Sequence, residues 1–310
     1  MKAIVLGASG MLGSMVLDYL SRVRSLELAA TARDAALLER FKNRIPDVPW
    51  HLLDAERCAL PELQALLGDA NWAINAIGVI KPYIHDDNPT EVERAVRINA
   101  LFPHILARAA EATGCKVLQI ATDCVFSGET GDYLETAPHD ALDAYGKTKS
   151  LGEVWSPLVH HLRCSIIGPE PKGHVSLLDW FLAQPKDGTV TGYQNHRWNG
   201  VTTLHFAKLC YGIMSNSLAL PHVHHVVPDG AVAKAELLKT FARECGRGDL
   251  TVTPADAKTP VDRTLATADT ALNLSLWQAA GYSTLPSIPE MIAELARFPY
   301  RFKERGCSKS

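Results

Sequence analysis

Apolar runs of strand length alternate with amphipathic stretches of helix length through the first half of the chain. "KAIVLG" reads as a buried strand and "MLGSMVLDYLSRV" as a helix, and the pair is repeated by "LELAATA" and "AALLERFKN". "VPWHLLD", the helical "ALPELQALLG" and the strand "NWAINAIG" continue the series, and a helix over roughly Glu91–Thr113 precedes the strand "KVLQIATD". Strands apolar on both faces, separated by helices, predict an α/β fold: a doubly wound parallel sheet covered on both sides. After "HLRCSIIG" the alternation weakens into loops carrying Pro169, Pro171, Gly173 and Pro185 around a Trp-bearing helix, "SLLDWFLAQ". The expected division is a dinucleotide-binding domain over 1–167 and a smaller, mainly substrate-binding domain over 168–310. "HVHHVVP" is the expected strand where the chain returns to the sheet, around 200–228.

The first strand–helix junction carries chemistry. "VLGASGMLGS" sets Gly7, Gly10 and Gly13 as GxxGxxG between strand and helix. Glycine there permits a tight turn and close approach of a pyrophosphate, whose charge the helix N-terminal N–H groups meet. This makes the sheet Rossmann-like, with Ser9, Met11 and Leu12 in the same cofactor-facing turn; a purely structural turn is the alternative. At the end of the second strand, Arg33 stands where NAD-selective proteins tend to place an acid, and its guanidinium suits a 2′-phosphate. NADP(H) is therefore expected over NAD(H), although Asp34 adjoins Arg33 and a solvated arginine is the plain reading.

Further on, Thr122 ends a strand, and Tyr145 and Lys149 form YxxxK in "AYGKTKSLGEV". Residues four apart share one helix face, so phenol and ammonium can share a site. A free phenol is a poor acid–base catalyst at neutrality, and a nearby cation draws its pKa toward the working range. Thr122 is suited to hydrogen-bond a carbonyl oxygen held for Tyr145. YxxxK alone also occurs on unremarkable surface helices.

Composition narrows the class. The 310 residues are 47% hydrophobic and carry a net charge of −3, with no long run of one sign, which argues against nucleic-acid or anionic-membrane binding. Seven scattered cysteines without a CxxC pair fit reduced thiols in the cytoplasm. The glycines interrupt the N-terminal apolar run before it resembles a signal peptide, and no stretch is apolar enough to span a bilayer. The basic tail "RFKERGCSKS" is expected to be a solvated terminus. His222, His224 and His225 in "PHVHHV" lack a further ligand, so no metal is expected.

Taken together, "GASGMLG", "LLDA", "NAIG", "RINALFP", "ATDCVFSG" and "YGKTKSLGE" occur in the order of an extended short-chain dehydrogenase/reductase. Within that superfamily the chain most resembles the dTDP-4-dehydrorhamnose reductase family, strongly in the first half and more loosely through "HLRCSIIG" and "WNGVTTLHFAK". The resemblance implies that Tyr145 is the general acid, Lys149 its pKa modulator and ribose anchor, and Thr122 the carbonyl-orienting hydroxyl. It places Asp54 near the adenine, Asn75 to Gly78 with Ala76 and Ile77 beneath the cofactor, and Asn99 in support of the lysine. A strand-end turn for Asp54 and a helix hydrogen bond for Asn99 are the bland alternatives. The implied reaction is NADPH-dependent reduction of the 4-keto group of a nucleotide-linked 4-keto-6-deoxy sugar, in deoxysugar and polysaccharide biosynthesis.

Cys124 departs from both relevant patterns. Sugar 4,6-dehydratases place Glu there for elimination, and a thiol replaces it poorly, so a dehydratase is disfavoured. The reductase family usually has Tyr at that position. "GYQNHRWNGVTT" mixes the groups that suit a sugar and a diphosphate. Arg197, Trp198, Asn199 and, in "PVDRTLAT", Arg263 are therefore the expected substrate contacts together with Cys124; the alternative packs Trp198 on the core. A nucleotide-sugar epimerase and a non-catalytic NADP-binding regulatory subunit remain as alternatives, and a homodimer is an open option.

Overall fold

The first apolar run, Lys2–Leu6, forms strand β1, in which Ala3, Ile4, Val5 and Leu6 are all buried. Such a strand has to be covered on both faces, and the following elements do this. In the computed structural model, residues 1–173 and 175–302 are described; the tail from residue 303, most of the expected solvated terminus, lies outside them. Strands β2 to β6 are Glu27–Ala32, Trp50–Leu52, Trp72–Asn75, Lys116–Ala121 and Val159–Arg163. The second half adds β7 (Ile166–Ile167), β8 (Thr189–Tyr193), β9 (His196–Trp198), β10 (Val201–Thr202), β11 (Val223–His225), β12 (Val232–Ala233), β13 (Thr251–Ala255) and β14 (Val261–Asp262). Helices α1 to α6 are Met11–Leu20, Ala35–Lys42, Leu60–Leu67, Pro89–Ala95, Phe102–Thr113 and Ala144–Leu151. Helices α7 to α11 are Leu177–Leu182, Thr203–Asn216, Lys234–Glu244, Thr270–Ala279 and Ile288–Arg297.

Seven strands make one sheet, in the order β11-β6-β5-β4-β1-β2-β3, parallel throughout. One face is packed by α1 and α8 through Met15, Val16, Phe206 and Leu209, and the other by α3 and α5 through Leu63, Phe102 and Leu106. The Rossmann-like α/β expectation is thus the observed fold. Strand order reverses between β1 and β4, and the crevice at the carboxyl ends of these strands is the place where such sheets bind ligands. The last strand, β11, pairs with β6 through Val223 opposite His161 and His225 opposite Arg163. The remaining strands form three small sheets, of which β12-β9-β14 sets Arg197 between Ala233 and Asp262.

The helix expected over Glu91–Thr113 is present but not uniform, because α4 passes through a π-helical turn, Val96–Leu101, into α5. Pro103 has no N–H for the Asn99 carbonyl, so regular α bonding lapses there. Gly152 packs against that carbonyl; a Cβ on it would lie 2.0 Å from the Asn99 oxygen. The turn carries the buried Asn99 side chain inward to the loop that follows β4.

Candidate active site

The glycine turn is built by steric necessity. Gly7 has φ +77°, a left-handed conformation, and a Cβ on it would fall 2.7 Å from Ile77 Cγ1. A Cβ on Gly13 would fall 2.2 Å from the Gly7 carbonyl oxygen, so only glycine lets α1 start this close to β1. The Gly7 N–H donates to Thr31 Oγ1 at 2.9 Å, which ties the turn to β2. Gly10 is the N-cap of α1 and supplies no side-chain cap, so the first N–H groups of the helix stay open to an anion. Met11 is half-buried at this opening, whereas Ser9 and Leu12 are buried and Leu12 belongs to the apolar core. A cradle of this shape, with an open helix N-terminus, fits a dinucleotide pyrophosphate.

Its floor is the end of β4. Ala76 N–H donates to the Leu6 carbonyl at 3.1 Å, and Asn75, bonded through Nδ2 to Gln119 at 2.7 Å, accepts from Ile77 N–H. Asn99 accepts from Val79 N–H at 2.8 Å and donates to the Val79 carbonyl and to Thr148 Oγ1. It therefore fixes the Gly78–Val79 backbone and the inner face of α6, and has no hydrogen bond to Lys149. After β3, Asp54 caps its own turn through Glu56 N–H at 3.1 Å. Arg33 is half-exposed, 3.9 Å from Asp34, which is itself engaged as the N-cap of α2. The loop after β7 comes to the same corner: Arg40 donates to the Pro171 carbonyl, and burial together with Arg33 pushes the Lys172 ammonium down. Lys172 is a cation beside Arg33 that sequence spacing does not reveal.

At the other end of the crevice, β5 delivers Thr122 and α6 delivers Tyr145 and Lys149. Thr122 N-caps a short 3-10 turn: it accepts from Cys124 N–H at 3.2 Å and donates to Asp123 Oδ1 at 3.2 Å. Helix α6 starts at Asp143, whose carboxylate accepts from Gly146 N–H at 2.7 Å and from Lys81 Nζ at 2.7 Å. Burial drives the Tyr145 pKa well above its ordinary value, with the Cys124 thiol adding to the rise and the Thr122 hydroxyl working against it. Lys149 is lowered by burial, against the pull of Glu153, and its ammonium donates to the Ile120 carbonyl at 3.2 Å. Burial thus governs the phenol, and Tyr145 keeps its proton at neutral pH. A cleft of about 450 Å³ opens on Tyr145, Lys81, Asp86 and Asp143. A slightly larger one, about 490 Å³, lies by Met1, Asn71 and Lys116 at the opposite strand ends and holds none of these groups.

The substrate-side residues separate into two sets. Cys124 lies in the acidic environment of Asp123, and burial pushes its thiol up to about 12, so it is inert at neutral pH. Arg263 donates from Nε to the Phe126 carbonyl at 2.8 Å, on the loop over the site. That loop is tied together by one side chain: Tyr133 Oη accepts from the N–H groups of Gly128, Glu129 and Thr130, and its ring stacks on Phe126 at 4.3 Å. By contrast, Trp198 and Asn199, expected to touch substrate, are committed to the scaffold. Trp198 is buried with its indole N–H on Ser165 Oγ at 2.8 Å, and both ends of the Asn199 amide are consumed by the Leu265 backbone. Arg197 is half-exposed and pairs with Asp262 at 3.5 Å. The histidines at and just before β11 also serve the scaffold: His222 packs on His161 and Trp155, and both ring nitrogens of His225 are engaged.

The family model described as RmlD substrate binding domain matches residues 1–297. The chain belongs to this family. A dTDP-4-dehydrorhamnose reductase of Salmonella typhimurium is 43% identical over 70 residues, which are 22% of this chain and 23% of that relative. The match to curated relatives thus spans about a quarter of their length. In overall fold the RmlD-type chain is similar to a Bacillus anthracis dTDP-4-dehydrorhamnose reductase in complex with NADP, at TM-score 0.71 and 17% identity, covering 95% of this chain and 98% of that one. It is equally similar to a Bacillus cereus UDP-glucuronic acid 4-epimerase in complex with UDP-glucuronic acid and NAD, at TM-score 0.72 and 16% identity, covering 96% and 99%. Among the described residues no helix is long and apolar enough to cross a membrane, and no group of three or more His, Cys, Asp or Glu side chains is arranged to hold a metal.

Proposed function

We propose that this chain is a nucleotide-sugar reductase that uses NADPH in preference to NADH and reduces the 4-keto group of a nucleotide-linked 4-keto-6-deoxy sugar. The observation that supports the reading is that the Thr122 hydroxyl reaches Tyr145 and that Lys149, on the same helix, donates to Ile120 near the end of β5, the strand beside β4 at the sheet's switch point. Membership of the RmlD substrate binding domain family and the partial match to dTDP-4-dehydrorhamnose reductases support it. A bound nicotinamide supplies the hydride. The Thr122 hydroxyl turns from Asp123 to the ketone oxygen and fixes it beside Tyr145. The Tyr145 phenol then gives its proton to that oxygen, so that C=O becomes CH–OH as hydride and proton add. Lys149, one helical turn on, stabilises the phenolate left behind until it is reprotonated. Stoichiometric NADPH oxidation with dTDP-, UDP-, GDP- or CDP-linked 4-keto sugars tests the reading, and no oxidation with any of them would sink it.

Cofactor choice rests on Arg33 with Lys172 beside it. Arg33→Ala is expected to weaken NADPH about ten- to a hundredfold more than NADH, the worth of one charge-assisted hydrogen bond. Titration of both cofactors into wild type and variant checks this. An equal loss for both would remove Arg33 as the selector.

A further inference from the structure

Helix α6, which carries Tyr145 and Lys149, has only eight residues, too few to be stable alone. Asp143 caps its start, and two histidines hold its last turn from outside. His104 Nε2 meets the Leu151 carbonyl at 2.9 Å, and His139 Nδ1 meets Ser150 Oγ at 2.7 Å. Ser150 directly follows Lys149. His139 lies in the loop that leads into α6, and its other nitrogen, Nε2, is 2.8 Å from Nη2 of the buried Arg163 on β6. One imidazole therefore joins the catalytic helix to the sheet.

Its partners decide its protonation. A guanidinium only donates, so Nε2 has to accept, and the single proton of the neutral ring sits on Nδ1 and is donated to Ser150. A second proton would make Nε2 a donor facing a donor, and the link to Arg163 would open. The charged groups around the ring are Arg163 on β6, Glu153 just after α6 at 3.7 Å, and Asp140 next to it in the loop. Beyond the guanidinium, His225 of β11 accepts from Arg163 Nη1 in the same way. Both acids are already engaged, Glu153 by Arg163 and Asp140 by the N–H and hydroxyl of Ser127. Burial holds His139 below the ordinary histidine value of 6.5, with Arg163 adding to the fall and Glu153 and Asp140 opposing it. Its side chain is 24% exposed, whereas His161 and His225 are buried, so it is the member of this cluster that a solvent proton reaches first.

We propose that neutral His139 is a positioning residue of the reducing site: by bridging Arg163 and Ser150 it holds α6, and with it Tyr145 and Lys149, against the sheet. Its effect on rate rests on the reductase reading above; its effect on the helix does not. The helix is expected to loosen as pH falls below 6.5 and Nε2 gains its proton, while the sheet persists.

Two measurements on the full chain test this over about pH 5.5 to 8. One is single-turnover NADPH oxidation with a responsive 4-keto sugar. The other is hydrogen exchange of residues 144–151, corrected for the intrinsic pH dependence of exchange. His139→Leu is expected to slow turnover about ten- to a hundredfold at about pH 7.5, the cost of a misplaced reacting group, and to speed exchange in α6 but not in β1 or β4. His139→Gln offers Arg163 an amide oxygen that does not titrate. It should restore most of the rate and remove the change that wild type shows below pH 6.5, in exchange as in turnover. Wild-type rate and exchange in the leucine variant would overturn the proposal, and so would a glutamine variant that follows the wild-type pH dependence. Faster exchange of β1 and β4 in the leucine variant would overturn it too, by marking His139 as a support of the whole fold. If no 4-keto sugar is turned over, exchange alone decides among these outcomes, and a helix that loosens as expected would leave only the reductase reading refuted.

Discussion

Tyr145→Phe is expected to slow single-turnover ketone reduction by about 10²–10⁴ while leaving NADPH affinity nearly unchanged. The ring and its packing survive this change; what is lost is the proton that burial keeps on the phenol oxygen. Lys149→Ala should behave differently and lose turnover and cofactor affinity together, since one ammonium is assigned to both the phenolate and the ribose. Rapid-mixing measurements of NADPH oxidation with a responsive 4-keto sugar, paired with equilibrium titration of NADPH, separate the two variants. A fully active Tyr145→Phe enzyme would reject the assigned acid.

The second large effect is on stability. Arg163, on β6, is fully buried, with Glu153 bound to its Nε at 3.1 Å and also to Nη2. Its Nη1 donates to His225 Nε2 at 2.6 Å and its Nη2 to His139 Nε2 at 2.8 Å, and its guanidinium lies over the Phe126 ring. One side chain thus joins the segment just after α6, the loop that carries His139 and the strand β11 at the edge of the sheet. Arg163→Met is expected to destabilise the fold by about 3–5 kcal/mol, the cost of leaving a buried carboxylate unpaired. Arg163→Met combined with Glu153→Gln should recover part of that loss. Urea unfolding of both variants measures it, and a single variant as stable as wild type would refute the account.

The same cluster sets an acid limit. Burial lowers His225 and His161 from 6.5 to about 4, so each takes up its proton in the unfolded chain before the folded one. Their contribution is present above about pH 6.5 and is lost as pH falls toward 4, by up to about 1.4 kcal/mol per pH unit for each. Burial pushes the Glu153 carboxyl up, but Arg163 outweighs it and holds the group below its ordinary range, so its contribution is lost in acid too. The melting temperature should therefore fall steadily below pH 6, and a flat profile from pH 7 to 4.5 would contradict these assignments.

Much of the sheet was legible because its strands are apolar on both faces, and the cradle because Gly7 and Gly13 occupy positions where no Cβ fits. That Tyr145 and Lys149 share one helix was legible from their spacing, and α6 carries both. The hydrogen bonds of Trp198 to Ser165 and of Asn199 to Leu265 were not legible, because an indole and an amide look the same in sequence whether they face a sugar or the protein's own groups. Lys172 left no signal, since its place depends on how a loop of the second half returns to the crevice. Arg163 did leave one: a charge inside the apolar run "HLRCSIIG" demands a buried partner, and Glu153 in the motif ten residues earlier was available. The break in the long helix was equally readable in Pro103.

The pairing of β11 with β6 bears on how the chain can be made and cut. Residues 1–167 contain Arg163 but not His225, and they leave β6 as an open sheet edge until some sixty more residues have been synthesised. A nascent or proteolysed chain ending at that boundary would carry an unpaired strand and a buried cation missing one of its acceptors, the conditions under which edge-to-edge association competes with folding. Residues 1–167 expressed alone should therefore aggregate, and a cut in the loop before β11 should release no soluble fragment.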